Sequence, residues 1–202
     1  MLGCAGASPA RRLDARGGTA TFRADARHSG VYETSSPDGP LHVVWRAETG
    51  GPVRSSPAIA GETIFFGSGD GALHAVDRRS GEPRWRFATG GAVHSSPAVD
   101  DGVVLFTSRD RHLYAVDAAS GELRWRFGMN PDVAFAWGWD YFLSSPTVAS
   151  GSVFVGGGDG NVYALEARTG RSLWKFPTGG RVRSSPAVAG GRVHVGSMDG
   201  RM

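Results

Sequence analysis

The 202 residues suffice for one large domain or two small ones, and 40% hydrophobic with 20% charged residues is the balance of an ordinary globular chain. No run approaches the ~18 consecutive apolar residues of a membrane-spanning helix, and the single cysteine, Cys4, excludes an internal disulfide. The formal charge of +3 is carried almost wholly by arginine, Lys175 being the sole lysine; with no basic stripe or recognition motif, no nucleic-acid partner is expected. The 31 glycines, free of collagen periodicity, point to many tight turns and therefore to many short strands.

In chain order, residues 1–21 read as a flexible leader rich in Ala, Gly and Arg. Cys4 sits in Leu2-Gly3-Cys4-Ala5, which either ends a lipoprotein signal, making Cys4 a lipidation site, or is a cysteine in a small-residue leader; the charged and apolar regions of a signal are missing before it. Residues 42–48 read as a lone strand carrying Trp45.

From residue 53 the chain repeats. Within these repeats Ser-Ser-Pro occurs at Ser55, Ser95, Ser144 and Ser184, with spacings of 40, 49 and 40. Tryptophans at Trp45, Trp85, Trp125 and Trp174 are spaced 40, 40 and 49, so both series contain one insertion of nine residues, between Trp125 and Ser144. Each unit carries period-two segments divided by glycine turns. In the first these are Val53–Ile59, Thr63–Phe66, Leu73–Val76 and Arg84–Phe87, four short antiparallel strands. That is the pattern of a β-propeller blade, and the fold class is all-β. Pro57 and its equivalents suit an edge strand. Asp77, Asp117 and Glu166 are placed to accept N–H groups of the turns that follow, and the tryptophans are suited to packing between blades.

The segment Ala75-Val76-Asp77-Arg78-Arg79-Ser80-Gly81-Glu82-Pro83-Arg84-Trp85 resembles the docking motif A-x-D-x-x-T/S-G-x-x-x-W of PQQ-repeat propellers; Ala115–Trp125 repeats it, and Ala164–Trp174 does so with Glu166 for Asp. Phe22–Tyr32 resembles the lead-in of bacterial members. The resemblance spans residues 22–202 and makes Trp45, Trp85, Trp125, Trp174, Asp77, Asp117, Gly81, Gly121 and Gly170 the expected blade-docking residues. Blades are expected at about 53–89, 93–128 and 142–178, with partial blades at 42–48 and 182–202. That is not quite four blades where propellers use four to eight, so a truncated chain is expected, or a ring completed by a second copy through its open edges.

Quinoprotein dehydrogenases of this kind carry an adjacent cysteine pair and a Ca²⁺ site over PQQ; this chain has one cysteine, and no calcium loop is present. Asp70, Asp110, Asp159 and Asp199 recur at one hairpin and are read as structural, and no histidine pair has zinc spacing. No catalytic, metal or cofactor residue is assigned and no cofactor is expected, PQQ entering only with the alternative reading. Two features are candidate binding elements. One is the residues before Ser-Ser-Pro: Arg54, His94 and Arg183, with Leu143 at the third position. The other is the aromatic end of the insertion, Trp137, Trp139, Asp140 and Tyr141. The resemblance implies a protein-binding scaffold of the bacterial envelope, periplasmic or outer-membrane-associated, similar to the outer-membrane assembly lipoproteins, with envelope proteins as partners and a membrane contact only through a lipid anchor. The alternatives are a fragment of a PQQ-dependent alcohol or sugar dehydrogenase, or the sensor domain of a bacterial kinase.

Overall fold

The computed structural model describes residues 23–30, 39–134 and 142–202. Three blades follow one another, each an antiparallel four-stranded sheet in chain order. The first holds β1 (Ala58–Ala60), β2 (Thr63–Ser68), β3 (Ala72–Asp77) and β4 (Pro83–Ala88). The second holds β5 (Ala98–Asp100), β6 (Val103–Ser108), β7 (His112–Asp117) and β8 (Leu123–Gly128). The third holds β9 (Thr147–Ala149), β10 (Ser152–Gly156), β11 (Asn161–Glu166) and β12 (Ser172–Pro177), and a fourth is begun by β13 (Ala187–Ala189) and β14 (Arg192–His194).

The hydrophobic core lies between blades. Phe65 and Leu73 of the first meet Val93, Val104, Phe106 and Tyr114 of the second. Leu105 and Leu113 of the second meet Val153, Val155 and Leu165 of the third. The middle blade is therefore covered on both faces, and β6 is buried at all six positions, which is why its sequence is an unbroken Val-Val-Leu-Phe-Thr-Ser run rather than an alternation.

Each blade is locked to the next by one tryptophan. The Trp45, Trp85 and Trp125 Nε1–H groups donate to the carbonyls of Arg78, Ala118 and Ala167, at 3.1, 3.1 and 3.0 Å. The indoles lie flat on Gly81, Gly121 and Gly170, which take φ of +75°, +76° and +71°. The turn beneath is caged by its acid: Asp77 Oδ1 accepts the Arg79 and Ser80 N–H groups, and Asp117 Oδ1 those of Ala119 and Ser120. Opposite each tryptophan the outer ladder shifts register by one residue, between Ala75 and Val76 and between Ala115 and Val116. The shift turns Arg84 and Arg124 back onto Asp77 and Asp117, at 2.6 and 2.5 Å. The Arg124 guanidinium and the Ser120 N–H together pull the Asp117 carboxyl down to about 2.

Two elements differ from the expected outline. The first strand of each blade is three residues, not seven, because the Ser-Ser-Pro segment bonds through its side chains instead of a ladder. Ser55 Oγ both accepts from Gly67 N–H and donates to its carbonyl, clipping the segment to its own blade. Residues 42–48 carry no strand, since no third strand lies beside them among the described residues, although Trp45 is docked. The lead-in, residues 23–30, is a turn caged by Asp25, which accepts from Arg27 N–H, Ser29 N–H and Ser29 Oγ–H. It reaches across to the far end of the arc, where Val188 N–H donates to the Ala26 carbonyl at 2.7 Å. Thr147 Oγ1 gives its proton to the Pro186 carbonyl, so it accepts from His28 Nε2–H, at 3.1 Å.

A Cβ at position 121 would stand 2.7 Å from Trp85 Cδ2, whereas one at Gly61, also left-handed at φ +57°, would meet open space. Gly61→Ala is expected to cost the ~1–2 kcal/mol of a left-handed residue; Gly121→Ala adds displacement of the indole and is expected to cost at least ~2 kcal/mol more. Urea midpoints of the two variants check the difference.

Candidate functional site

The insertion and the residues before Ser-Ser-Pro share one end of the arc, that of the β2–β3 type hairpins. The chain entering each Ser-Ser-Pro is tied there by backbone bonds: Gly69 N–H to the Pro52 carbonyl, Arg109 N–H to Ala92 and Met198 N–H to Arg181. The second serine then links blade to blade. Ser56 N–H donates to Ser96 Oγ, Ser96 N–H to Ser145 Oγ and Ser145 N–H to Ser185 Oγ, at 2.9, 2.9 and 3.0 Å. This chain holds Arg54, His94, Leu143 and Arg183 at equivalent positions: Arg54 is exposed, while His94, Leu143 and Arg183 are half-buried.

The hairpin carboxylates point into backbone. Asp70 accepts from Gly50 N–H of the preceding connection, Asp110 from Gly90, Asp159 from Asn130 and Asp199 from Gly179. Each also caps its own hairpin, at the N–H of Ala72, His112, Asn161 or Arg201. Tyr114 donates its phenol to Asp110 at 2.7 Å and Tyr163 donates to Asp159; His74 Nε2 lies 2.9 Å from Asp70. Burial, then the bond to Asp110, pushes the Tyr114 phenol up to about 12. Among the described residues no three His, Cys, Asp or Glu side chains come together as a metal site.

The base of the insertion is held firmly. Met129 N–H donates to the Arg111 carbonyl and Val133 N–H to that of Gly158. Arg181 Nε donates to the Val133 carbonyl at 2.6 Å, and Arg183 Nη2 to Asp132 Oδ2 at 2.8 Å. Arg183, read from the sequence as a binding residue, thus engages the insertion itself; Asp132 and Arg181, its companions, have no motif to betray them. Trp137, Trp139, Asp140 and Tyr141 lie outside the described residues, as does Cys4; Phe142, where the chain returns, is 75% exposed. A cleft of about 30 Å³ remains between Arg109, Met129, Asp132, Leu143 and Arg183, room for about one water molecule. The rim of this end is basic: Arg54, Arg109 and Arg111 are exposed beside Arg181 and Arg183.

Four-stranded blades joined by an indole on a left-handed glycine define a β-propeller of the tryptophan-docked class. A family profile described as "Outer membrane protein assembly factor BamB" matches residues 27–138 and 133–202, and the chain belongs to this family. No curated protein sequence matches it. Among solved structures it is similar to BamB from Moraxella catarrhalis, at 20% identity and a TM-score of 0.63 over 76% of this chain and 46% of that one. It is also similar to the quinohemoprotein alcohol dehydrogenase ADHIIG from Pseudomonas putida HK5, at 22% identity and a TM-score of 0.55 over 66% of this chain and 22% of that one. The computationally designed Ika4 protein matches at 16% identity and a TM-score of 0.64, over 80% of this chain and 95% of that one. The chain thus spans less than half of the BamB structure and under a quarter of the dehydrogenase.

Asp132→Ala removes the acceptor of Arg183 while leaving the Val133–Gly158 bond. It is expected to loosen the base of the insertion locally, speeding amide exchange at Val133 about tenfold, with Val104 in the core unchanged. Exchange followed by mass spectrometry measures both.

Proposed function

We propose that this chain is a non-enzymatic propeller module of the bacterial envelope that binds partner proteins through the end bearing the insertion. The observation that carries the reading is the clamp of Asp132 and Val133 by Arg181, Arg183 and Gly158, which fixes the base of an extra loop on a rigid blade. Rigid scaffolds presenting loops at one face are how repeat folds usually bind. The surrounding arginines suit an acidic partner surface, acting mainly on association rate and specificity. Membership of the BamB family supports an envelope setting, periplasmic or at the outer membrane.

No PQQ or other cofactor belongs to this reading. The four hairpin carboxylates are each occupied by two backbone N–H groups, and the cleft beside Asp132 measures about 30 Å³. These observations support a reading without that group.

Two measurements test the proposal. A photo-crosslinking residue at Phe142 is expected to give adducts with envelope proteins, identified by mass spectrometry, and one at Glu62, in the β1–β2 turn at the opposite end, is not; equal labelling at both positions would overturn the assignment of the face. Addition of PQQ with Ca²⁺ is expected to leave dye-coupled alcohol oxidation at zero. Saturable quinone binding with turnover would replace the scaffold with an enzyme.

A further inference from the structure

Thr147 breaks the repeat. The residue that follows Ser-Ser-Pro is Ala58, Ala98 or Ala187 in the other units, and blade three alone places a hydroxyl there. Thr147 is fully buried, and a buried hydroxyl needs partners. Its proton goes to the Pro186 carbonyl at 2.6 Å, and its lone pair receives the His28 Nε2–H of the lead-in. Two residues earlier, the Ala26 carbonyl accepts from Val188 N–H of β13. Residues 23–30 thus form a strap laid across the first strands of blades three and four.

The strap is held at some cost and without apolar packing. Arg23, Ala24 and His28 take φ of +60°, +77° and +56°, left-handed angles that residues other than glycine resist. Such angles persist only where the surroundings impose them, and they gather at switches. Asp25 imposes them from within, by accepting from Arg27 and Ser29. The seat itself is polar, since neither core cluster includes a residue of the strap. Segments with few buried apolar contacts are the first parts of a fold to open.

We infer that the strap is a pH-operated latch, seated while the His28 ring is neutral and released when the ring takes up a proton. A positive charge on this half-buried ring would lose solvation and face the Arg23 guanidinium of the same turn. Asp25 pulls the other way but is engaged by its own turn, and Thr147, Pro186 and Val188 on the facing strands carry no charge. Burial first, then Arg23, therefore hold the seated ring below the ordinary imidazole range. The latch holds fully above that ordinary value of ~6.5 and weakens as pH falls below it, toward the lower value at which the seated ring protonates. The Ser29 N–H keeps Asp25 below its usual carboxylate range, so the turn retains its charge in this window. Release uncovers the Thr147 hydroxyl and the Val188 N–H, an edge that an extended segment can pair by strand addition. This inference is independent of the insertion-face reading.

Amide protection of Val188, measured by NMR against an unstructured peptide at each pH, tests the latch. It is expected to fall several-fold between about pH 7.5 and about pH 5, while protection of Val104 in the core stays and shows that the blades remain folded. His28→Gln, which can donate to Thr147 but does not titrate, is expected to remove the fall. Thr147→Ala, which installs the residue of the other blades, is expected to lower Val188 protection at both pH values and to let His28 titrate closer to its ordinary range. Equal Val188 protection at the two pH values in the parent chain, a fall that persists in His28→Gln, or a His28 titration indifferent to Thr147→Ala would each overturn the proposal.

Discussion

The contact of an indole face with a left-handed glycine governs this structure. The ring sits where a Cβ would stand about 2.5–2.7 Å from its atoms, so only glycine can lie beneath it, and the same glycine must hold a backbone angle that other residues resist. Steric and conformational demands therefore fall on one residue per blade. The rest of the turn follows from holding that residue in place: a carboxylate gathers the turn's N–H groups, and a one-residue register shift swings an arginine onto that carboxylate. Nine extra residues before blade three leave the contact intact, because they enter a connection at the hairpin end and not the path from turn to tryptophan.

Polar ties complete what the indoles begin. At the inner segments the serines join blade to blade through N–H to Oγ bonds, and at the hairpins the aspartates reach back to the preceding connection. Each blade interface thus has an apolar centre with directional bonds on either side, and adjacent blades are fixed in angle as well as in distance. Acidic side chains that could otherwise serve chemistry are engaged in this framework, which is why the functional reading rests on a loop and a basic rim.

Much of the fold can be read from the sequence because its markers are literal repeats. Trp, Gly and Ser-Ser-Pro recur in register, and the shared nine-residue offset identifies them as parts of one unit. The docking glycines are legible for the same reason: a residue with no side chain, held four positions before each tryptophan of blades one to three, marks a turn that a flat ring must be able to cover. What escapes is whatever does not repeat. The Asp132–Arg183 pair occurs once and joins positions 51 residues apart. The serines are visible as a marker, yet their bonding is not, since a Ser-Pro segment reads equally well as an edge strand. The lone segment at 42–48 has the alternation of a strand but lacks, among the described residues, the neighbour that would make it one, and no pattern in a sequence reports a missing neighbour.

The lead-in segment carries a consequence for how the chain is made. Docking contacts join residues 33 to 45 apart, so each can form soon after its blade leaves the ribosome. His28 must instead wait for Thr147, 119 residues later. At synthesis rates of ~5–20 residues per second that interval is roughly 6–24 s, long compared with strand pairing. The segment translated before any blade is therefore among the last to find its seat, and its arrival marks the moment at which the third and fourth blades are both in place.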